Sequence, residues 1–254
     1  MPSFVHLHVH SHYSILDGMS TIPGLVDKAI KNGMNSIALT DHGNMFGIKE
    51  FFDYTKKKNG KIKDEISNIQ KQITAIESGE TVVENKESEL ADLQKKIESA
   101  KKKIFKPILG CEAYVARRTL YDKSEKEDGS GHHLVILAKN KKGYQNLCKL
   151  ISKAWIDGYY YRPRIDKDLL KKHSEGLIIS SACLGGEIHK KIEAGRLDEA
   201  EEAVMWFKDI FGDDYYLELQ RHKTDKPGAD RTTYEKQTIQ NKELIKLARK
   251  TNTK

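Results

Sequence analysis

Near its N-terminus the chain reads Phe4-Val5-His6-Leu7-His8-Val9-His10-Ser11-His12, an apolar strand pattern with an imidazole at every second place. Side chains at i and i+2 of a strand point to the same face. The even-numbered histidines, His6, His8, His10 and His12, are therefore expected to converge on one side of a β-strand over residues 4–10. Imidazole is a leading ligand for zinc and related divalent ions, so the pattern points to a metal site at the end of that strand. The plain alternatives are a tag remnant, which would be a consecutive run, and a polar edge strand. A second acid–imidazole pair, Asp41-His42, closes another apolar run.

The rest of the chain alternates strands and helices, which predicts βα units around a largely parallel sheet. Strands are expected at 36–40, 107–115, 133–138, 176–181 and 215–219. Helices are expected at 22–32, 45–57, 141–155, 185–193, 198–211 and 234–250, with residues 117–131 as a polar loop. Ser20 or Thr21 can cap the first helix, Pro23 fits its first turn and Gly33 its end. From 58 to 104 the composition turns to lysine and glutamate, with Ile62, Ile66, Ile69, Ile73 and Ile76 spaced as a heptad seam. Ser78-Gly79-Glu80 reads as a turn, and Leu90, Leu93, Ile97, Ala100 and Ile104 resume the seam. Two antiparallel helices of roughly 27–30 Å each are expected, forming a coiled-coil hairpin inserted in the domain. Its plain reading is a solvated charged arm, its sharper one a partner-docking arm. Lysines 56–58 and 101–103 at its base could touch nucleic acid, although such runs are usually solvated. The last helix has no strand after it, so the chain is expected to be cut from something longer.

With 38% hydrophobic and 32% charged residues, the chain is expected to fold as one large α/β domain or two small ones. No apolar run approaches the ~20 residues of a membrane span, and the start leaves no room for a signal peptide. Cys111, Cys148 and Cys183 are odd in number, widely spaced and form no CxxC pair. That argues against disulfides and a zinc finger, and for a reducing, cytoplasmic setting. A net charge of +7 permits an anionic partner without requiring one.

Chemistry gathers where strands give way to loops. There the sequence places His8, His10 and Asp17, then Asp41 and His42, Glu112, His132 and His133, Cys183, and Gln220-Arg221-His222. Such a mixture of imidazole, carboxylate and thiolate suits several transition metals, zinc foremost. Several carboxylates favour more than one ion, and clusters of ions suit phosphate ester cleavage. Each residue also has a plainer role. Asp17 can be a turn residue before Gly18, Asp41 a helix cap and Cys183 a small buried hydrophobe, while His173 and His189 read as surface residues. Glu112 is harder to dismiss, because a carboxylate buried on an apolar strand needs a partner.

Phe4-Val5-His6-Leu7-His8-Val9-His10-Ser11, Leu16-Asp17-Gly18, Leu39 through Gly47 and Gly110 through Val115 closely resemble the polymerase and histidinol phosphatase (PHP) domain family. Ala138-Lys139-Asn140, Gly143-Tyr144, Asn146-Leu147, Ser181 through Gly186 and Leu217 through His222 resemble the branch that opens bacterial replicative polymerase subunits. The resemblance covers residues 1–254 apart from the 58–104 hairpin. It implies a distorted seven-stranded βα (TIM-like) barrel, truncated before its last strand, holding up to three divalent ions (zinc, with manganese or magnesium as alternatives). The implied ligands are His8, His10, Asp17, His42, Glu112, His133 and Cys183. His133 is preferred to His132 because the family's histidine directly precedes a leucine. Its place at a strand start fits a strand that runs antiparallel. The family's final Asp-x-His pair does not occur before Lys254.

The resemblance implies metal-dependent phosphodiester hydrolysis at a DNA 3′ end, as 3′–5′ exonuclease proofreading within a DNA-directed DNA polymerase. DNA, the remainder of the subunit and other replicase subunits are the implied partners, with no membrane. Arg221, His222 and Arg117 are expected to hold phosphate. A non-catalytic, metal-braced docking module and a small-molecule phosphatase of the histidinol-phosphatase type are the alternatives. The run Tyr159-Tyr160-Tyr161-Arg162-Pro163-Arg164 either stacks on DNA or packs between domains.

Overall fold

The ten residues Lys106–Val115 form the longest strand among the described residues. The computed structural model describes residues 4–129 and 131–254. In chain order the elements are α1 (Ile22–Lys31), β1 (Ser36–Leu39), α2 (Ile48–Lys58), α3 (Gly60–Glu77), α4 (Lys86–Lys102), β2 (Lys106–Val115) and α5 (Glu125–Asp128). Then come β3 (His132–Ala138), α6 (Lys141–Ile156), β4 (Arg164–Ile165), α7 (Lys167–Lys172), β5 (Leu177–Ser180), α8 (Glu187–Glu193), α9 (Leu197–Phe211), β6 (Tyr215–Tyr216) and α10 (Thr232–Thr251).

The strands make a six-stranded sheet in the order β1-β2-β3-β5-β6, with β4 paired to the end of β2. β1 and β2 are parallel, as are β5 and β6, but β3 runs antiparallel to both β2 and β5. That reversal brings the first residues of β3 to the same end as the last residues of β2, so a histidine at a strand start reaches the site.

Alternation sorts the side chains of these strands onto two faces. Cys111, Ala113 and Val115 of β2, Leu134 and Ile136 of β3, and Leu177 and Ile179 of β5 point outward. There they pack on the helices through Leu147, Leu150, Leu170, Val204, Phe207 and Leu244. Burying each large aliphatic or aromatic group contributes about 1.5–3 kcal/mol. The opposite face carries Val135 and Leu137, which close the interior with Ala38, Ala182, Ile108 and Ile178. Glu112 and His133 share the parity of Val135 and so face inward as well. The same parity turns His132 outward, toward the charged groups of Arg117, Glu187, Lys191 and Lys167.

A second core joins α1, β1 and α2 through Ile22, Val26, Ile37, Leu39, Phe51 and Phe105. Thr21 caps α1, accepting from Gly24 N at 3.2 Å. α3 and α4 pack through Ile66, Ile69, Ile73, Ile76, Leu90, Leu93 and Ile97, the residues of the expected seam. Their base is clamped by Asn59, whose side chain donates to Phe105 O (2.8 Å) and accepts from Phe105 N (2.9 Å).

Several expectations differ in detail. Residues 4–10 lie alongside β1 without forming a regular strand. Ala38 N donates to His6 O and Thr40 N to Val9 O, so two residues on one side span three on the other. Val9 N turns to Thr40 Oγ1 instead (2.8 Å), and the chain bends at His8. The last strand stops at Tyr216 instead of 219, and the loop after β2 contains α5. β4 and α7 were not foreseen. Asp166 creates α7, accepting from Leu169 N at 2.8 Å, while its other oxygen accepts from Leu120 N at 2.9 Å. Six strands were expected and six are assigned among the described residues, with β4 in place of residues 4–10, and the sheet is open. Its two free edges nevertheless approach one another. His8, beside β1, meets Glu218, just past β6, at 2.8 Å.

Candidate metal centre

Glu112 is 1% exposed in the middle of β2, above the apolar plug. Its N–H donates to Asp41 O (3.1 Å) and its carbonyl accepts from Gly43 N (2.8 Å), so the backbone fixes it on both sides. Imidazoles from separate segments close on its carboxylate. His8 Nε2 lies 3.2 Å and His133 Nδ1 3.0 Å from Oε1, and His10 Nε2 lies 3.1 Å and His42 Nδ1 2.9 Å from Oε2. Cys183 Sγ lies 3.4 Å from both Glu112 Oε1 and His133 Nδ1. Asp17 Oδ2 stands 3.1 Å from the other nitrogen of His42.

The loops are shaped to allow this approach. Asp41 caps no helix; buried, it accepts from Ser11 N (2.7 Å), Ser11 Oγ (2.8 Å) and Ser14 Oγ (2.7 Å), drawing the loop after His10 over the site. In the turn that carries Cys183, Ala182 adopts a left-handed conformation (φ 59°) and Gly186 N donates to Cys183 O (2.8 Å). A Cβ on Gly185 would sit 2.8 Å from His133 Nδ1, so only glycine lets that ring pack here.

Proton accounting shows what the ring lacks. The Ser14 hydroxyl gives its hydrogen to Asp41 and accepts from His42 N (3.1 Å), so its remaining lone pair takes His10 Nδ1–H (3.0 Å). That tautomer leaves the His10 Nε2 lone pair facing Glu112. Glu218 Oε1 likewise takes His8 Nδ1–H (2.8 Å), which turns the His8 Nε2 lone pair toward Glu112 and, at 3.3 Å, toward His10 Nε2. Lone pairs and a carboxylate converging in this way repel one another unless a proton or a metal ion stands between them. His42 Nδ1 and Glu112 Oε2 are both buried and in ion-pair range, yet their geometry makes no hydrogen bond. Two sets of donor atoms, His8/His10/Glu112 and His42/Glu112/His133, each lie within 4.8 Å of one another. A divalent ion fits each set, with Glu112 shared.

The electrostatics agree. Burial alone would lower the His8 pKa, but Glu112 and Glu218 outweigh it and raise it to about 10. Burial alone would raise the Glu112 pKa, but the imidazoles of His10, His133, His42 and His8 crowded on its two oxygens hold it well below the usual carboxylate range. The Cys183 thiol is pushed up to about 12, first by burial and then by Glu112. A proton or a metal ion must supply the positive charge that this position demands.

The structure thus brings His8, His10, Asp17, His42, Glu112, His133 and Cys183 into one cluster. His6 and His12 stay exposed against Phe4 and Tyr13 and take no part. Arg221, His222 and Arg117 are also exposed and lie outside the ring; Gln237 Nε2 lies 2.7 Å from His222 Nδ1. His189 is buried at 3% exposure, contrary to its expected surface position. Residue-by-residue reading missed Glu218, which also accepts from Ser180 Oγ (2.6 Å) and Gln220 Nε2 (2.7 Å). The alternation Leu217-Glu218-Leu219-Gln220 was the signal that places both polar groups on one face. Beside the ring opens a cleft of about 570 Å³, lined by Asp17, His42, Tyr114, His133, Tyr161 and Arg162 among others.

The chain resembles known proteins along almost its whole length. It is 40% identical over 247 residues to the DNA polymerase III subunit alpha of Borreliella burgdorferi, covering 97% of this chain and 17% of that protein. It is 40% identical over 225 residues to the subunit of the same name from Treponema pallidum (88% and 15%), and 34% identical over 257 residues to that of Aquifex aeolicus (99% and 17%). The chain therefore spans about a sixth of the length of the relatives it matches. The PHP domain model matches residues 6–222, and with Glu112 and its ring of imidazoles inside that span, the chain belongs to the PHP domain family.

Proposed function

We propose that the Glu112 centre hydrolyses phosphodiesters with the help of divalent metal ions, and that its substrate is the 3′ end of DNA, giving a 3′–5′ exonuclease that proofreads for a DNA polymerase III alpha-type subunit. The observation that carries this reading is the single buried carboxylate shared by imidazoles at 2.9–3.2 Å from separate segments of the chain. His8, His10 and Glu112 would hold one ion; His42, Glu112 and His133 would hold a second, with Asp17 and Cys183 beside it. Zinc suits this N/O/S donor set, and manganese or magnesium would need more oxygen ligands. When bound, such ions activate water and stabilise the attacking and leaving oxygens.

The chain's own groups set the rest. Glu218 and Ser14 fix the tautomers of His8 and His10, presenting both Nε2 atoms inward. Asp17, with a side chain 61% exposed, stands against His42 where the centre meets the cleft, placed to orient water or take up a proton. Arg221 and His222, beyond Glu218, and Arg117, beyond β2, are candidates to hold phosphates of a longer strand. The pairing of residues 6–9 beside β1 and the approach of His8 to Glu218 support a seven-stranded barrel type truncated before its last strand, and residues 58–104 are read as an inserted arm. The relatives' names support a replicase setting, with DNA, the rest of the subunit and other replicase subunits as partners in the cytoplasm. No helix among the described residues is long and apolar enough to cross a membrane.

The test is release of mononucleotides from a mismatched single-stranded 3′ end, with zinc, manganese or magnesium supplied in turn. Activity that disappears in a His8→Ala, His10→Ala variant is expected. Activity unchanged in that variant would end the proposal. Tm lowered by chelation, with no hydrolysis under any metal, would favour a structural metal centre instead.

A further inference from the structure

We propose that Tyr161 and Arg162 form the substrate-recognition wall of this centre, taking the terminal nucleotide of a single strand by stacking its base and pairing its phosphate. The inference rests on the hydrolytic reading above and names what that site would accept. Both residues line the cleft that opens on His42, His133 and Asp17. Arg162 is exposed, makes no ion pair with a carboxylate among the described residues, and places its guanidinium 5.8 Å from the centre of the Tyr114 ring. Tyr114 stacks on His42 (5.8 Å, 18°) and meets His133 edge-on (5.1 Å, 85°). An unneutralised guanidinium thus stands one ring away from the imidazoles that face Glu112. It is a planar fork suited to a phosphate held there.

The turn that carries these residues is built to be rigid. Tyr160 N donates to Arg162 O at 3.0 Å, and Tyr161 at the apex has φ 57°, a conformation seldom taken by residues other than glycine. Such strain persists only where the surroundings enforce it. Here Arg164, fully buried, donates to the carbonyls of Gly158 (3.1 Å), Asp128 (3.1 Å), Leu120 (3.2 Å) and Asp122 (2.9 Å), pinning one end. Gly43 (φ 60°) lets Pro163 and Tyr114 approach so closely that a Cβ there would lie 2.8 Å from Pro163 Cγ. Trp155 Nε1 donates to Gly43 O at 2.8 Å, tying α6 to the same point. The apex tyrosine packs one side of its ring edge-on against Tyr160 (4.7 Å, 70°) and is otherwise open, 59% exposed. A fixed, open aromatic beside a free guanidinium is the arrangement that stacks a nucleobase while its phosphate is held. A small phosphomonoester would use only the guanidinium and leave the ring idle.

The experiment uses the 254-residue chain with a 3′-hydroxyl single-stranded DNA oligomer labelled at its 5′ end, and a circular single strand as the control without an end. Binding is followed by fluorescence anisotropy, once with chelator and once with saturating zinc, beside hydrolysis of the oligomer and of bis(p-nitrophenyl) phosphate. Arg162→Ala and Tyr161→Gly are the variants, glycine accepting the apex conformation while removing the ring. Each is expected to weaken binding of the linear oligomer by roughly 10- to 100-fold with little change for the circle, and Arg162→Ala to slow the small ester as well, since that ester also uses the guanidinium. Loss of oligomer binding by the variants in a chain that hydrolyses nothing would retain the recognition wall and remove the exonuclease reading. Hydrolysis by the unaltered chain with equal oligomer affinity in the variants would remove the wall and retain the exonuclease. No binding of the linear oligomer by the unaltered chain in either condition would overturn the proposal.

Discussion

His8 Nδ1 and Glu218 Oε1 lie 2.8 Å apart, although their residues are 210 positions apart in sequence. Glu218 thereby sets which nitrogen of His8 faces Glu112. Carboxylates that orient a metal-binding histidine typically contribute 10- to 100-fold to metal affinity. Glu218→Gln is therefore expected to weaken zinc binding by roughly that factor while the chain remains folded. A competition titration against a chromophoric chelator measures it. Unchanged affinity would show that His8 needs no such partner.

Glu112 is shared by both donor sets, so Glu112→Gln is expected to remove both ions together. Metal analysis should then find neither equivalent retained, where loss of only one ligand histidine would spare part of the binding. Ligand binding at about 100 times Kd stabilises by about 2.7 kcal/mol. The Tm of the unaltered chain should fall on chelation, and that of the variant should not respond.

Gly185→Ala would place a methyl 2.8 Å from His133 Nδ1. Overpacking of this kind costs about 1–3 kcal/mol, and the ring is expected to swing away from Glu112. One equivalent of metal should be lost while the His8/His10 position still fills. Retention of both would mean that the turn around Cys183 yields more easily than its contacts imply.

These centre-forming residues were largely legible in the sequence. His-x-His, Asp-His-Gly and a glutamate inside an apolar strand each have a plainer role taken singly, but all of them at strand ends point to one cluster. Glu218 was harder, because one acid among alternating leucines also describes an ordinary half-exposed strand. The bend at His8 was not legible, since the substitution of a threonine hydroxyl for a backbone partner is decided by β1, thirty residues away. Arg164 was misjudged for a related reason. Beside tyrosines an arginine suggests a binding surface, and its burial depends on carbonyls from loops at 120–128 and 158.

Burial depresses the pKa of His189 to about 4. Above pH 6.5 both the folded and unfolded chains hold it neutral. Between about 6.5 and 4 the unfolded chain binds a proton that the folded chain refuses, so stability falls as pH drops through that window. The contribution lost is on the order of 1–3 kcal/mol. His132, also lowered to about 4 by burial, acts in the same window. Denaturant unfolding between pH 7 and 4 should show a shallower slope for His189→Asn. An unchanged slope would place the acid sensitivity elsewhere.

Asn59→Ala removes both hydrogen bonds to Phe105 and leaves buried backbone groups unsatisfied, a loss of about 2–3 kcal/mol. Amide exchange in α3 and α4 should quicken while metal stoichiometry stays as it was. Coupled loss of metal would show that the helical arm supports the centre rather than standing beside it.

The position of Glu112 has an evolutionary corollary. A hub loses its function in one step, whereas a chain of separate ligands erodes by degrees. Once this carboxylate is replaced, the imidazoles around it lose their common counter-charge and the selective reason to stay. Relatives that have lost the carboxylate should therefore have refilled the strand centre and its surroundings with apolar side chains, and half-depleted rings that still contain the glutamate should be rare.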